Sequence, residues 1–471
     1  MPYSSRLWAA ALAVAAVGFA SPPSGAAPRR ARVPQVHYTA YRLSNGLRVI
    51  LSPDRSAPVA AVSVTYDVGS RNERPGRTGF AHLFEHMMFQ GSENVGRGEH
   101  MQVVQEIGGT LNGSTNKDRT NYYEAVPANQ LDLALFLEAD RMRSLDVSQA
   151  NLDNQRLVVK EERRQNYDNQ PFGQMSETMS RLAFTSFGYQ HSTIGSMEDL
   201  NAATLDDVRT FFRTYYAPNN AALAVVGDFD VAIARKKVEK YFGSIPAGTP
   251  PPAPDVVENP LGGEKRQTMT DPLARTTRFE AAYRTVTGDH PDAPALQMLG
   301  GILSRGRSGR LYTAIVEKRL AMSASAGGFA GRGPGLFSFS ATLSANASTA
   351  RVEAAWEAEL ARVQKEGVTE DEVAKAKAQA RASAIGGGGF RGGGGGMQTA
   401  MGRANALSQN AIFYNDPGRM NTALARTEAV TAADLQRVAQ QYLRKDNRVV
   451  LICTPEEEPD MDLYATAGEE R

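Results

Sequence analysis

TLDDVRTFFRTYYAPNN, Thr204–Asn220, and TAADLQRVAQQYLRKDN, Thr431–Asn447, stand in one register, 227 residues apart at both ends. In each, an amphipathic helical pattern leads into an Asn and then into a buried strand-like run, AALAVVGD (Ala221 to Asp228) in the first case. Between the copies lies PAGTPPPAPDVVENP, Pro246 to Pro260, whose prolines favour a stiff, extended linker. The linker divides the chain into two nearly equal halves, so the sequence reads as a duplicated α+β unit. Outward from the first copy, β-branched runs predict strands at Leu47–Leu51 and Ala60–Ser70 and a strand pair within Thr110–Val126. Helical patterns cover Thr78–Phe89, Ala128–Ser144, Ser148–Tyr167 and Leu205–Tyr216. The expected organisation is an export segment at 1–26, a first domain at 36–246, the linker at 247–264, a second domain at 265–458 and a tail at 459–471. A glycine run, IGGGGFRGGGGGM at Ile385–Met397, interrupts the second domain. It carries no Lys-Ser or Lys-Thr at phosphate-loop spacing and reads as a flexible loop, or as a flap over a substrate chamber.

The chain has 471 residues, 42% hydrophobic and 22% charged, which is enough for more than one packed core. Fifty-two Lys and Arg against 51 Asp and Glu leave a net charge of +1, with no basic stripe for nucleic acid or an anionic membrane. Arg6, the apolar run Leu7–Ala20 and the small residues through Ala26 form an export signal, so the expected location is secreted, and periplasmic in a Gram-negative host. The run is short for a membrane span and no second one follows, so no stable insertion of the mature chain is expected. Cys453 is the single cysteine, which excludes an internal disulfide and a cysteine-rich metal site. Any metal must be held by His, Asp and Glu.

GFAHLFEHMMFQG, Gly79–Gly91, carries His82, Glu85 and His86. At i and i+4 of a helix the two imidazoles face one point, as two nitrogen ligands to zinc must. Glu85 borders that face, where a carboxylate can take the proton of a metal-bound water. The rest of this helix is apolar, so the polar trio is placed on a buried element and needs partners. A third ligand must come from elsewhere, and KEERR in the helical stretch Gln155–Gly173 offers Glu161 or Glu162. Spacing alone leaves both open.

HLFEH resembles the inverted zinc motif of the family that contains pitrilysin, insulysin and the mitochondrial processing peptidase. DVGSRNE before it, GGTLNGST after it, VVKEERRQNYDNQPFG and YQHSTIGSMEDL (Tyr189–Leu200) resemble the same family. The resemblance implies a third ligand 76 residues beyond the second His, which is Glu162, and one zinc ion per chain. It implies two homologous domains, each a mostly antiparallel sheet packed with helices, that together form half of a clamshell around a peptide chamber. It also implies that Asn112 and Gly113 lie on a sheet edge where substrate backbone adds as a strand. Two departures stand out. Gln155 takes the place of a supporting Glu seven residues before the metal Glu. Active relatives carry an Arg and, seven residues on, a Tyr that grip the peptide; Val316 stands at the place of the Arg and Met322 near that of the Tyr, with one residue fewer between them. The implied activity is a zinc endopeptidase acting as the zinc-bearing subunit of a heterodimer, whose zinc-less homologous partner supplies the Arg and Tyr; otherwise a homodimer is expected. The alternative is a non-catalytic peptide-binding or assembly subunit of a larger complex.

Overall fold

The β-branched runs become strands for the reason that marked them in the sequence: their side chains fill both faces of a pleated sheet. A computed structural model describes residues 35–345, 347–386 and 397–456. The expected export segment, the tail and the glycine run apart from its ends lie outside the described residues. In the first half, β1 (Thr39–Arg42), β2 (Arg48–Pro53), β3 (Val59–Tyr66), β4 (Thr110–Thr115), β5 (Thr120–Pro127) and β6 (Ala221–Gly227) form a sheet of order β1-β2-β6-β3-β5-β4. In the second, β7 (Lys265–Asp271), β8 (Arg278–Arg284), β9 (Ala321–Phe329), β10 (Leu336–Leu343) and β11 (Arg448–Pro455) give β7-β11-β8-β10-β9. Each sheet has one parallel pair, β2 with β6 and β7 with β11, and is antiparallel elsewhere. The second sheet therefore repeats the first without β1, and the expected fold class is observed.

The helices that matter for the site are α1 (Phe80–Met87), α2 (Glu99–Glu106), α3 (Leu131–Ser144), α4 (Gln149–Arg163) and α5 (Met175–Ala183). With them go α6 (Leu205–Tyr215), α7 (Ala293–Ser304), α8 (Ala400–Tyr414) and α9 (Ala432–Tyr442). The repeat holds atom by atom. Thr204 with Asp207 and Thr431 with Asp434 form capping boxes at the starts of α6 and α9. Asn220 Nδ2 donates to the Tyr215 carbonyl at 2.8 Å, and Asn447 Nδ2 to the Tyr442 carbonyl at 2.8 Å. Each Asn also ties its helix to the end of a central strand, β3 through the Asp67 carbonyl at 3.2 Å and β8 through the Arg284 carbonyl at 2.8 Å.

Some boundaries move. The helix expected from Thr78 starts at Phe80, because Gly79 takes φ +88°, outside helical space. The strand expected to reach Ser70 ends at Tyr66, where the Asp67 N–H turns to the Asn220 carbonyl at 2.9 Å. The stretch through Tyr167 is α-helical to Arg163 and then a π-helical turn, Arg164–Asp168.

The two faces of β3 show how the halves join. Ala60, Val62, Val64 and Tyr66 enter the core that holds α1, α3 and α6. Ala61 packs with Ala404, Leu407 and Ala411 of α8, a helix from the second half of the sequence. The exchange is mutual: Met175, Met179 and Ala183 of α5 pack on Ala282, Val449, Leu451 and Cys453 of the second sheet. Among the described residues no helix is long and apolar enough to cross a membrane.

Candidate active site

α1 is only eight residues long, and its N-cap, Gly79, has no side chain to satisfy the first amides. Glu73 does so from six residues upstream. Its two carboxylate oxygens accept from Gly79 N and Ala81 N, both at 2.8 Å. Burial pushes its carboxyl well above the usual range, and the amides of the first turn oppose that. The capped helix is anchored by Phe80, Leu83, Phe84 and Met87 in the core, which leaves His82 and His86 along one line facing α4.

The two imidazoles stand edge to face with ring centroids 4.9 Å apart. His82 Nε2 is 3.7 Å and His86 Nε2 3.3 Å from Glu162 Oε2. One ligand atom from each of the three lies within 4.8 Å of the others. Glu161, the alternative that spacing left open, turns outward and bonds Arg164 at 3.1 Å and Gln165 at 3.2 Å. The His86 hydrogen bond holds the Glu162 carboxyl below its usual range, so it stays ionised. Burial lowers His82 to about 4, with His86 adding to the effect, so its ring is neutral at physiological pH. His82 Nδ1 is buried and, among the described residues, has no hydrogen-bond partner, which leaves Nε2 as the ring's polar outlet. Two imidazole nitrogens and one carboxylate, open on the remaining side, fit a zinc ion of the catalytic type.

Glu85 projects beside this trio toward the edge strand β4. A Cβ at Gly113 would lie 2.9 Å from Glu85 Cγ, so any side chain there would displace the carboxylate. Burial raises the Glu85 carboxyl above the usual range, while the Thr115 hydroxyl and the charges of His86 and Arg119 pull it down. A raised carboxyl is the better proton acceptor near neutrality. Asn112 is exposed on β4, and its Oδ1 accepts from Gly113 N at 2.8 Å. Gln155 is buried on α4 two turns before Glu162, and its amide donates to Asn154 Oδ1 at 2.8 Å rather than to a member of the trio. Val316 ends a π-helical turn and Met322 is 57% exposed on β9. Between them Arg319 takes φ +57°, a left-handed conformation in the shortened connection.

Sequence reasoning missed Glu73 and Arg119. The first lies in the quoted DVGSRNE, and a Glu just ahead of a glycine-capped helix is a detectable signal. The second depends on contacts across the fold. A further His-Glu cluster went unnoticed: His100 of α2, Glu124 of β5 and Glu138 of α3. It is a fully buried hydrogen-bonded network, with His100 Nε2 3.2 Å from Glu124 Oε2 and Arg141 bonded to both oxygens of Glu138. The Arg141 guanidinium, 4.5 Å from the Tyr122 ring centroid, already supplies the cation, and a divalent ion beside it would be repelled.

Comparison with known proteins places these features. The family model described as Insulinase (Peptidase family M16) matches residues 48–195, and that described as Peptidase M16 inactive domain matches residues 202–380. The chain is 29% identical to the zinc protease PqqE of Helicobacter pylori over 417 residues, 88% of this chain and 92% of that one. It is 28% identical over 269 residues, 55% of this chain and 49% of the other, to a probable mitochondrial-processing peptidase subunit beta of Arabidopsis thaliana. The crystal structure of a protease from Helicobacter pylori superposes with a TM-score of 0.83 at 28% identity, covering 89% of this chain and all of that one. With matching models over both halves and a shared two-sheet fold, the chain belongs to peptidase family M16.

Proposed function

We propose that the chain is a zinc-dependent endopeptidase that hydrolyses peptides or unfolded polypeptide segments. The observation that carries this reading is the convergence of His82, His86 and Glu162 beside Glu85, which itself lies against the β4 edge. Zinc held by the trio would supply an acidified water and a Lewis acid for the scissile carbonyl. Glu85 takes the proton of the attacking water and later passes it to the leaving amine. A peptide adding to β4 would replace the Asn112 carboxamide as acceptor for Gly113 N–H, which holds its backbone in line with Glu85. Main-chain bonding of this kind reads extension more than side chains, so broad specificity is expected.

The C-terminal half has Val316 and Met322 in place of the gripping Arg and Tyr, and much of it matches a model described as an inactive domain. The reading is therefore a zinc-bearing half of a clamshell, completed by a homologous zinc-less chain; one relative is itself named a subunit. Secretion, to the periplasm in a Gram-negative host, follows from the export signal at the N-terminus. The test is hydrolysis of a mixed set of quenched fluorescent peptides by the zinc-loaded mature chain, alone and with whatever co-purifies from its host, with Glu85→Gln as control. Hydrolysis lost in the variant supports the reading. Zinc bound with no hydrolysis in either preparation overturns it in favour of a peptide-binding subunit.

A further inference from the structure

Arg119 sits in the turn between β4 and β5 and is 6% exposed. Among the described residues its guanidinium forms no ion pair, which is an expensive way to bury a cation. Instead Nη1 donates to the Ser114 carbonyl at 2.6 Å and to Ser114 Oγ at 2.7 Å, so the guanidinium clasps the end of β4. Nε donates to Gln409 Oε1 at 3.2 Å, from α8 in the other half of the sequence. A guanidinium can only donate, so the Gln409 carboxamide must turn its oxygen to it.

Gln409 has company on the same helical face. Asn121, opposite Ser114 in the sheet, accepts from Ser114 Oγ at 2.7 Å and donates to Asn405 Oδ1 at 3.3 Å. Ser408 Oγ lies 3.0 Å from Ser63 Oγ and 2.8 Å from Thr65 Oγ1. Asn405, Ser408 and Gln409, at i, i+3 and i+4, thus form a polar stripe beside the apolar face of Ala404, Leu407 and Ala411. The stripe runs beneath β3 and β5 and reaches the turn that ends β4, on the face opposite α1.

We propose that Gln409 is a positioning residue for peptide binding: it holds the Arg119 guanidinium against the Ser114 carbonyl and so fixes the edge of β4 on which substrate backbone lies. This rests on the reading that peptides add to β4. The strand carries Gly113 and Thr115, which face Glu85, so a displaced strand end misplaces the peptide before any chemistry begins. The helix thereby gives the second half of the chain a part in a site whose other residues all come from the first.

The experiment compares Gln409→Ala and Gln409→Glu with wild type, in the enzyme as purified with any partner chain. A carboxylate at 409 still accepts from Arg119 Nε, so Gln409→Glu is the rescue. The expected result for Gln409→Ala is a KM raised roughly tenfold, the loss of one hydrogen bond to a charged group, with zinc content unchanged and any fall in kcat smaller than the rise in KM. Gln409→Glu returns KM to the wild-type range. A wild-type KM in Gln409→Ala, a loss of zinc with kcat, or no rescue by Gln409→Glu overturns the proposal. If the wild type cleaves nothing, the peptidase reading itself has failed, and hydrogen exchange at 110–115 decides the role of Gln409. Faster exchange in Gln409→Ala, restored in Gln409→Glu, supports it as the brace of this strand, and unchanged exchange overturns it.

Discussion

α1 against β4 and α7 against β9 are the same contact built twice, each between a helix and the outer strand of its sheet. They differ in what fills it. In the first half, Gly113 makes room for the Glu85 side chain, 2.9 Å from where a Cβ would be. In the second, a Cβ on Gly300 would lie 2.6 Å from Gly327 Cα, so backbone meets backbone and nothing fits between. α7 buries Leu296, Met298, Leu299, Ile302 and Leu303 and carries no His or Glu. One scaffold therefore supports either a polar contact or a sealed apolar seam. The choice lies in a few side chains on one helix.

The largest effect tests whether Glu85 is what separates the two. Glu85→Gln should lower kcat by about 10³, within the range for a lost general base, while zinc stays bound. Peptide hydrolysis and metal analysis on the same sample check this. Glu162→Gln should weaken metal retention instead. The zinc remaining after dialysis against a chelator should fall well below that of wild type, and activity should follow it. A paired substitution then sharpens the comparison. Gly300→Ala forces rigid backbone apart and should cost about 1–3 kcal/mol of stability, read as a lower urea midpoint with zinc sites intact. Gly113→Ala meets a movable side chain and should instead lower kcat with a smaller change in that midpoint.

The smallest effect concerns the buried network, which the second half does not repeat with these residue types among the described residues. Burial holds the Glu124 carboxyl up at about 8, so the folded chain keeps a proton that the unfolded chain releases near the ordinary carboxylate value. Its contribution is complete below that value and is lost as pH rises toward 8. Glu124→Gln should remove this slope, leaving Tm closer to constant than in wild type between about pH 7 and 8.5, above the range in which an unfolded histidine titrates. His100, which burial lowers to about 3, destabilises on the acid side in both proteins and cancels in the comparison.

What the sequence discloses here is whatever lies within a few turns of itself. The 227-residue register predicted α6 and α9 down to Asn220 and Asn447, because caps and helix-to-strand links are local. The His82, Glu85, His86 face follows from helical period alone. Choosing Glu162 over Glu161 needed a family resemblance, since both lie on one exposed-looking run; in the structure Glu161 turns to Arg164 and Gln165 while Glu162 faces the two histidines. The Glu73 cap, the Arg119–Gln409 bond and the covering of each sheet by a helix of the other half were not legible. Each joins side chains by a contact that no periodicity encodes.

That exchange of helices has a consequence for synthesis. The first sheet is complete once Gly227 has been made, yet the helix that covers its second face begins at Ala400, 173 residues later. At ~5–20 residues per second, the apolar strip of Ile50, Ala61, Ala222, Ala224 and Val226 stays bare for about 10–35 s on every growing chain. Each nascent molecule thus passes through an interval in which that face has no cover from its own C-terminal half.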